Sequence, residues 1–307
     1  MNMLDYKFGI EIELTGITRE KAAEVIATTL GGERRYVGGT YDTHEITLPD
    51  GRKWKSLYDS SIRTTGGWNT AVEIVSPILN YNQDMETIQK IVRAIKTAGG
   101  KTNNSCGIHI HLNGTDHTVQ SLKNFINIIA SRNDLFYKAL KIDSARTRWC
   151  KKLDDRLVNE IKTKKPRTMQ KLKDVWYNQK NAGSYTHYND TRYHFLNLHS
   201  YFNGIGTVEL RGFNSELHAG KIKTYILLAL ALNHQALTQA KATSKRNQNE
   251  NEKFAMRIYL NRIGFIGSEM KNYREHLLKH LDGSSAWRYG YDNPKYKKNQ
   301  TTNKEEN

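Results

Sequence analysis

The 307-residue chain carries 47 Lys and Arg against 31 Asp and Glu, a net charge of +16, and 37% of its residues are hydrophobic. This composition excludes a mainly disordered chain, and no apolar run approaches the length of about 18 residues that a membrane-spanning helix needs. Two cysteines exclude a disulfide framework. We therefore predict a cytoplasmic protein with no membrane partner.

The positive charge is unevenly distributed along the chain. Residues 1–112 hold 13 basic and 13 acidic side chains, so the whole excess follows residue 112. Residues 141–180 alone hold 13 basic and 5 acidic side chains. Two interpretations remain open for this segment, a surface for an anionic polymer such as nucleic acid and a solvated helical insertion.

The first half of the chain alternates between strand and helix patterns. Residues 6–16 alternate apolar side chains with polar ones and predict a strand, with no signal-peptide pattern before it. Thr18 then predicts a helix start and Gly31 its end. Strands joined by turns are predicted over residues 34–62 and 71–79, and an amphipathic helix over residues 83–100.

The second half is predicted to be mainly helical. A strand at residues 106–112 precedes a long helix over 118–140 and a helical basic segment with a break at Pro166. Residues 192–202 and 206–213 predict strands, and helices follow near 222–243, 253–263 and 268–281. We predict one domain over residues 1–282, with a basic helical insertion at 141–190, and a disordered tail over 283–307.

Three of these strands place ionisable side chains on one face and apolar side chains on the other. The ionisable positions are Glu11 with Glu13, His109 with His111, and Glu209 with Arg211, and a fourth strand adds Glu73. Each pair alone is weak evidence. Without a cation among them, however, carboxylates and imidazoles on one sheet face would repel one another, or their burial would be unfavourable. Oxygen-rich sites with imidazoles suit Mg²⁺ or Mn²⁺.

The same motifs resemble the amidoligase family, within the superfamily of glutamine synthetase and glutamate–cysteine ligase. The resemblance rests on FGIEIEL, DSSI, EIVSPIL, GIHIHL, RYHFLNL and TVELRGFN, which follow one another in the family's order. Together they span residues 8–214. Residues 141–190 and those after about 245 lie outside the motifs.

The resemblance implies an ATP-dependent carboxylate–amine ligase that forms an amide bond through an acyl phosphate. It also implies an α+β fold, in which a curved, mainly antiparallel sheet makes a glutamine synthetase-like open half-barrel with helices on its outer face. The expected cofactors are ATP and two or three Mg²⁺ or Mn²⁺ ions. The substrates would be a carboxylate and an amine that the motifs do not specify.

By the same resemblance, the metal ligands are Glu11, Glu13, Glu73, His109 and Glu209. Arg211 would hold the transferring phosphoryl group. The nucleotide would be contacted by Arg211, His111 and Asn197, although His111 could also bind metal or substrate. Asp59 and Arg192 match family positions in or near the site. We predict both as catalytic, with Asp59 as the base that deprotonates the amine.

Two other functions remain open from the residues. A metal-dependent nuclease or phosphodiesterase would also use carboxylates, histidines and a basic surface. A non-enzymatic nucleic-acid-binding protein could retain a degenerate ligase fold. Bound ADP or an ATP analogue would favour the ligase, because neither alternative needs ATP.

Overall fold

The computed structural model describes residues 2–177, 189–246 and 251–289, and within them nine strands form one open sheet. The strands are β1 (Lys7–Leu14), β2 (Glu33–Gly38), β3 (Thr43–Thr47), β4 (Lys53–Leu57), β5 (Val72–Val75), β6 (Leu79–Asn80), β7 (Gly107–Asn113), β8 (Leu196–Asn197) and β9 (Thr207–Asn214). Their order is β2-β3-β4-β5-β1-β7-β9-β8, with β6 also beside β1. All pairings between these strands are antiparallel.

Ten helices are present in the described residues. They are α1 (Arg19–Leu30), α2 (Tyr81–Thr97), α3 (Val119–Ala130), α4 (Asn133–Ala139), α5 (Asp155–Lys164), α6 (Met169–Tyr177), α7 (His199–Asn203), α8 (Ala219–Thr238), α9 (Glu252–Arg262) and α10 (Lys271–Leu278). None of the described helices is long and apolar enough to cross a bilayer.

One face of the sheet is apolar and is covered by helices. Ile10 and Ile12 of β1 and Ile110 of β7 are fully buried, and they share one hydrophobic core with apolar side chains of α1, α2, α3 and α8. Burial of this apolar area is the main contribution that holds the helices to the sheet. The predicted mixed fold is confirmed as an open, antiparallel sheet with helices packed against it.

The predicted end signals of the first helix are confirmed by its geometry. The hydroxyl of Thr18 accepts a hydrogen bond from the backbone N–H of Lys21 at 3.1 Å. Gly31 ends the helix with φ of 65°, a left-handed conformation that glycine adopts without a steric penalty. The sequence signals and the local structure therefore agree at this element.

The predicted continuous helix over residues 118–140 is wrong, because α3 and α4 are separate helices. The hydroxyl of Ser131 donates to the carbonyl of Ile128 at 3.0 Å, a local bond that competes with helix continuation. Arg132 then leaves the helical conformation, with φ of −129°. Its guanidinium stacks 3.8 Å from the ring centre of Tyr259, a contact that the local pattern does not encode.

The predicted strand over residues 192–202 is also wrong in extent. Only Leu196 and Asn197 pair as β8, since a 3-10 turn precedes them and α7 follows. The side-chain oxygen of Asn197 accepts from the backbone N–H of His199 at 2.7 Å, which starts the turn into α7.

The basic segment forms two helices, α5 and α6, with the predicted break at Pro166, directly after Lys165 ends α5. Leu157, Ile161 and Trp176 of these helices are buried in the main core, so the segment is integrated into the fold. Residues 178–188 of the segment and 290–307 of the predicted tail lie outside the described residues.

Candidate metal and active site

The strand register brings the predicted ligands together on the sheet face opposite the core. Glu13 of β1 lies across from Glu73 of β5, and Glu11 lies across from His109 of β7. His111 in turn lies across from Glu209 of β9. Side chains directly opposite each other in antiparallel strands are nearest neighbours, so four central strands contribute to one cluster.

Three overlapping groups in this cluster could each hold a cation. They are Glu11–Glu73–His109, Glu11–His111–Glu209 and Glu13–Asp59–Glu73, and within each group the ligand atoms lie within 4.8 Å of one another. Two of the groups combine carboxylate oxygens with one imidazole and the third offers carboxylates alone, and both donor sets suit Mg²⁺ or Mn²⁺. All five carboxylate and imidazole residues predicted as ligands are therefore close together, and the structure adds Asp59 and His111 to them.

The imidazole of His109 lies among three carboxylates. Its Nδ1 is 2.9 Å from Oε2 of Glu11 and 3.8 Å from Oε1 of Glu209, and its Nε2 is 3.4 Å from Oε1 of Glu13. His111 extends the cluster, with Nε2 3.1 Å from Oε1 of Glu11. Its Nδ1 is 2.9 Å from the hydroxyl of Thr207, a contact that orients the ring.

Burial and neighbouring charges shift the pKa values of the cluster residues in opposite directions. Burial raises the pKa of Glu73 well above its usual value, and Glu11 and Asp59 raise it further. Burial also raises the pKa of Glu13. At Glu11 the effect of burial is outweighed, because His111 and His109 hold its pKa well below the usual range. Glu11 and Glu209 in turn raise the pKa of His111 to about 9, against the effect of its burial.

Glu209 links the cluster to Arg211 and Asn197. The amide of Asn197 donates to Oε2 of Glu209 at 2.6 Å, and Arg211 donates through NH1 to Oε1 at 2.5 Å. The Nε atom of Arg211 is buried and has no hydrogen-bond acceptor among the described residues. A buried donor without an acceptor is costly, so this atom fits a site that receives a ligand oxygen.

A cleft of about 110 Å³ opens beside the cluster. Its lining includes Glu13, Asp59, His109, Arg192 and Arg211, so the three predicted catalytic residues and two of the predicted ligands share one space. Trp149 and Tyr193 also line it, with ring centres 4.9 Å apart. Asn197 does not line this cleft, and its contact with Glu209 indicates a supporting position behind that carboxylate.

Arg146, which also lines the cleft, was missed by sequence reasoning. The ladder between β7 and β9 is irregular beside His109, where Arg211 and Gly212 together face one residue of β7. Arg146 donates to the backbone carbonyls of Phe213 and Arg211 at 2.6 and 3.0 Å. It therefore holds the irregular part of β9 that carries Arg211. No local signal marked this residue, because its partners lie more than sixty positions away in the chain.

Thr207 was also missed, but here the sequence held a signal. It lies two positions before Glu209 and four before Arg211, so strand alternation predicts that it shares their face. Gly212 is a further residue of β9 that sequence reasoning missed. A Cβ there would lie 2.0 Å from the ring of Phe195, so the strand tolerates only glycine at this irregularity.

The chain is similar to a family model and to a solved structure. A family model described as "Putative amidoligase enzyme" matches residues 4–233, well over half of the chain. No curated protein matches. A structural similarity is found to a bifunctional glutathione synthetase from Pasteurella multocida, with 13% identity and a TM-score of 0.39, covering 91% of this chain and 47% of that one. The chain thus spans about half the length of that protein. Given the length of the family match, which includes every strand of the candidate site, this chain belongs to the amidoligase family.

Proposed function

We propose that this protein is an ATP-dependent carboxylate–amine ligase. Membership of the amidoligase family supports an amide-bond-forming ligase in general. The observation that carries the finer proposal is a set of three potential cation-binding groups, two of them with an imidazole, beside a buried arginine with an unused donor. Phosphoryl transfer needs such an arrangement, since charge on the γ-phosphoryl oxygens must be neutralised while the reacting atoms are aligned.

Each part of the site has a proposed role. Glu11, Glu13, Glu73, His109 and Glu209 would hold two or three Mg²⁺ or Mn²⁺ ions, with His111 and Asp59 as further candidates. Bound divalent cations would supply neutralisation of the phosphate oxygens of ATP. Arg211 would bind the transferring phosphoryl group, Asn197 would orient Glu209, and Arg192 would contact a substrate at the cleft. His111 stands where it could contact either an ion or the nucleotide.

A carboxylate must be activated before it can react with an amine, because hydroxide or oxide would otherwise have to leave. An oxygen of the substrate carboxylate attacks the γ-phosphorus of ATP, the bond to the bridging oxygen breaks, and ADP leaves. Arg211 stabilises the charge on the moving group through its guanidinium. The amine then attacks the carbonyl carbon of the acyl phosphate, phosphate leaves with the bonding electrons, and the amine proton passes to a base. Asp59 lies at the cleft and is the candidate base.

The proposal is tested by ADP release with Mg²⁺ or Mn²⁺ across a panel of carboxylates and amines, followed by mass spectrometry of the products. The expected result is ADP formation that depends on both substrates. The mass of the product should equal the summed masses of the carboxylic acid and the amine minus that of water. Glu209→Gln serves as the low-activity comparison. Cleavage of DNA or RNA with metal alone and no consumption of ATP would instead overturn the proposal in favour of a phosphodiesterase.

A further inference from the structure

A groove of about 770 Å³ lies away from the candidate active site, between α3, α5, the link from α5 to α6 and the segment after α8. We call it the basic groove. Its apolar floor includes Val158, Ile161 and Ala242. None of its lining residues belongs to the cleft or to the carboxylate–imidazole cluster.

The basic groove gathers cations from three parts of the chain. In the part of the chain that the structure describes, no Asp or Glu lines the groove, and its five cationic side chains are Lys123, Lys162, Lys165, Arg167 and Lys241. Within the described ranges, none of the five makes an ion pair with a carboxylate, although Lys123 donates to the carbonyl of Pro166. Gathering like charges is unfavourable in the free protein, and an anion in the groove would relieve that repulsion.

Other cations of the same segment behave differently. Lys152 pairs with Asp134, and Arg156 pairs with Asp154. Lys164 pairs with Glu160 one helical turn away. Within the described residues, these three cations of the basic segment have carboxylate partners, whereas the three that line the groove do not.

We propose that the basic groove binds the phosphate backbone of a nucleic acid. The polar side chains beside the lysines are Gln120, Asn127, Thr243 and Ser244, and with Lys and Arg these are the side-chain types that commonly contact phosphate oxygens. Several separate cations fit a ligand with repeated charges better than a single phosphate. No aromatic side chain among the described residues lines the groove, so bases would not stack on them and binding would be independent of sequence. This binding surface does not depend on the proposed ligase activity.

The test compares two triple variants of the full chain with equal changes in net charge. The groove variant carries Lys162→Gln, Lys165→Gln and Arg167→Gln. The control variant carries Lys152→Gln, Arg156→Gln and Lys164→Gln, which removes the ion-paired cations of the same segment. Binding of a short fluorescent DNA duplex is measured by anisotropy over a range of salt concentrations, and melting curves check that both variants are folded.

The expected result is binding by the wild type that weakens steeply with salt. Loss of three phosphate contacts should reduce the slope of log K against log salt by about 2.7, since each contact contributes about 0.9 on duplex DNA. The control variant should keep the wild-type slope. Equal weakening by both variants would overturn the proposal, because net charge alone would then explain the binding. The proposal also fails if the wild type binds no DNA at low salt, or if polyglutamate of equal charge competes as well as DNA, which would indicate an acidic protein partner.

Discussion

The carboxylate–imidazole cluster and the basic groove each concentrate charge of one sign, but they differ in depth. Glu13 and Glu209 are each only 3% exposed, whereas Lys162, Lys165, Arg167 and Lys241 at the groove are exposed. A buried charge loses its hydration and must be matched at close range, while an exposed one stays hydrated. The cluster should therefore need its counter-ions, and the groove should only favour its ligand.

The two regions also use the chain differently. The cluster is built by alternation on four neighbouring strands, so its residues share a face wherever the strands pair correctly. The groove is built from a helix face, a loop and a distant segment. Substitutions in the cluster should accordingly lower turnover by large factors. Substitutions at the groove should change the free energy of unfolding only slightly. The predictions below test this contrast.

The largest effect is expected for Glu209→Gln. The amide keeps the shape but loses the charge that contacts Arg211 and that could bind a cation. Turnover measured by ADP release should fall by about 10²–10³, the range for loss of one oriented charge, while the melting curve remains cooperative. Glu216→Gln is the matched control, because Glu216 pairs with Lys221 outside the cluster. Near-normal turnover in Glu209→Gln would contradict the metal-ligand role.

Arg211→Lys should lower turnover by about 10², somewhat less than loss of the carboxylate. Lysine keeps the charge but cannot reproduce the planar fork that bonds Glu209 through one nitrogen and leaves Nε for a ligand. The same ADP assay measures it, with added guanidinium as a rescue experiment. Full activity in Arg211→Lys would exclude the phosphoryl-binding role and leave only a charge requirement.

The face-sharing residues could be predicted because strand alternation is a local rule. GIEIEL, GIHIHL and TVELRG each encode two site residues, and pairing of adjacent strands then does the rest. Thr207 follows from the same rule. The motif signal was therefore sufficient for the sheet and most of the cluster.

The errors arose where tertiary contacts override local patterns. Arg132 ends a helix that the apolar periodicity continues, and its stacking on Tyr259 depends on a distant element. Arg146 contacts carbonyls of β9 from another part of the chain. Predicting the basic groove would have required knowing which lysines lack carboxylate partners. Such contacts depend on how elements pack, and single-sequence periodicity contains no term for that.

Arg146→Met should destabilise the fold by about 1–3 kcal/mol, the cost of leaving buried carbonyls without a donor. Arg146 is only 2% exposed and donates to two carbonyls of β9. Chemical denaturation of the variant would measure the change. Arg148→Met is the control, since Arg148 is exposed and stacks on Trp149, its one contact of this kind among the described residues. If both variants lost equal stability, the special role of the irregular strand would be wrong.

Glu73→Gln should stabilise the metal-free protein at neutral and higher pH, because a pKa of Glu73 raised in the folded state means that its charge is unfavourable there. The sign fixes the pH dependence. The folded state holds the proton of Glu73 more tightly than the unfolded chain does. The stability that protonated Glu73 gives the wild type is therefore lost as the pH rises from the usual Glu range through the raised pKa. Melting temperatures with EDTA at several pH values would show the variant's advantage growing with pH.

The same variant should respond less to Mn²⁺ than the wild type. A cation that binds only the folded state stabilises it by about 2.7 kcal/mol at a hundred times its Kd, and loss of one ligand weakens that binding. Glu45→Gln is a suitable control, because Glu45 of β3 pairs with Lys53 of β4 and belongs to none of the three candidate groups. An equal rise in melting temperature with Mn²⁺ for wild type and Glu73→Gln would contradict coordination by Glu73.

The smallest effect is expected at the basic groove. Neutralising Lys162 and Lys165 together should change the free energy of unfolding by no more than about 0.5 kcal/mol, as is usual for exposed positions. The sign should be stabilising at low salt, because two like charges beside Arg167 are removed from one groove. Added salt screens exposed charges over about 10 Å at 0.1 M, so the gain should vanish as salt rises. Denaturant unfolding at low and high salt measures this. A loss of stability that persists in high salt would mean that these lysines contribute packing, and the contrast with the buried cluster would then need a different physical basis.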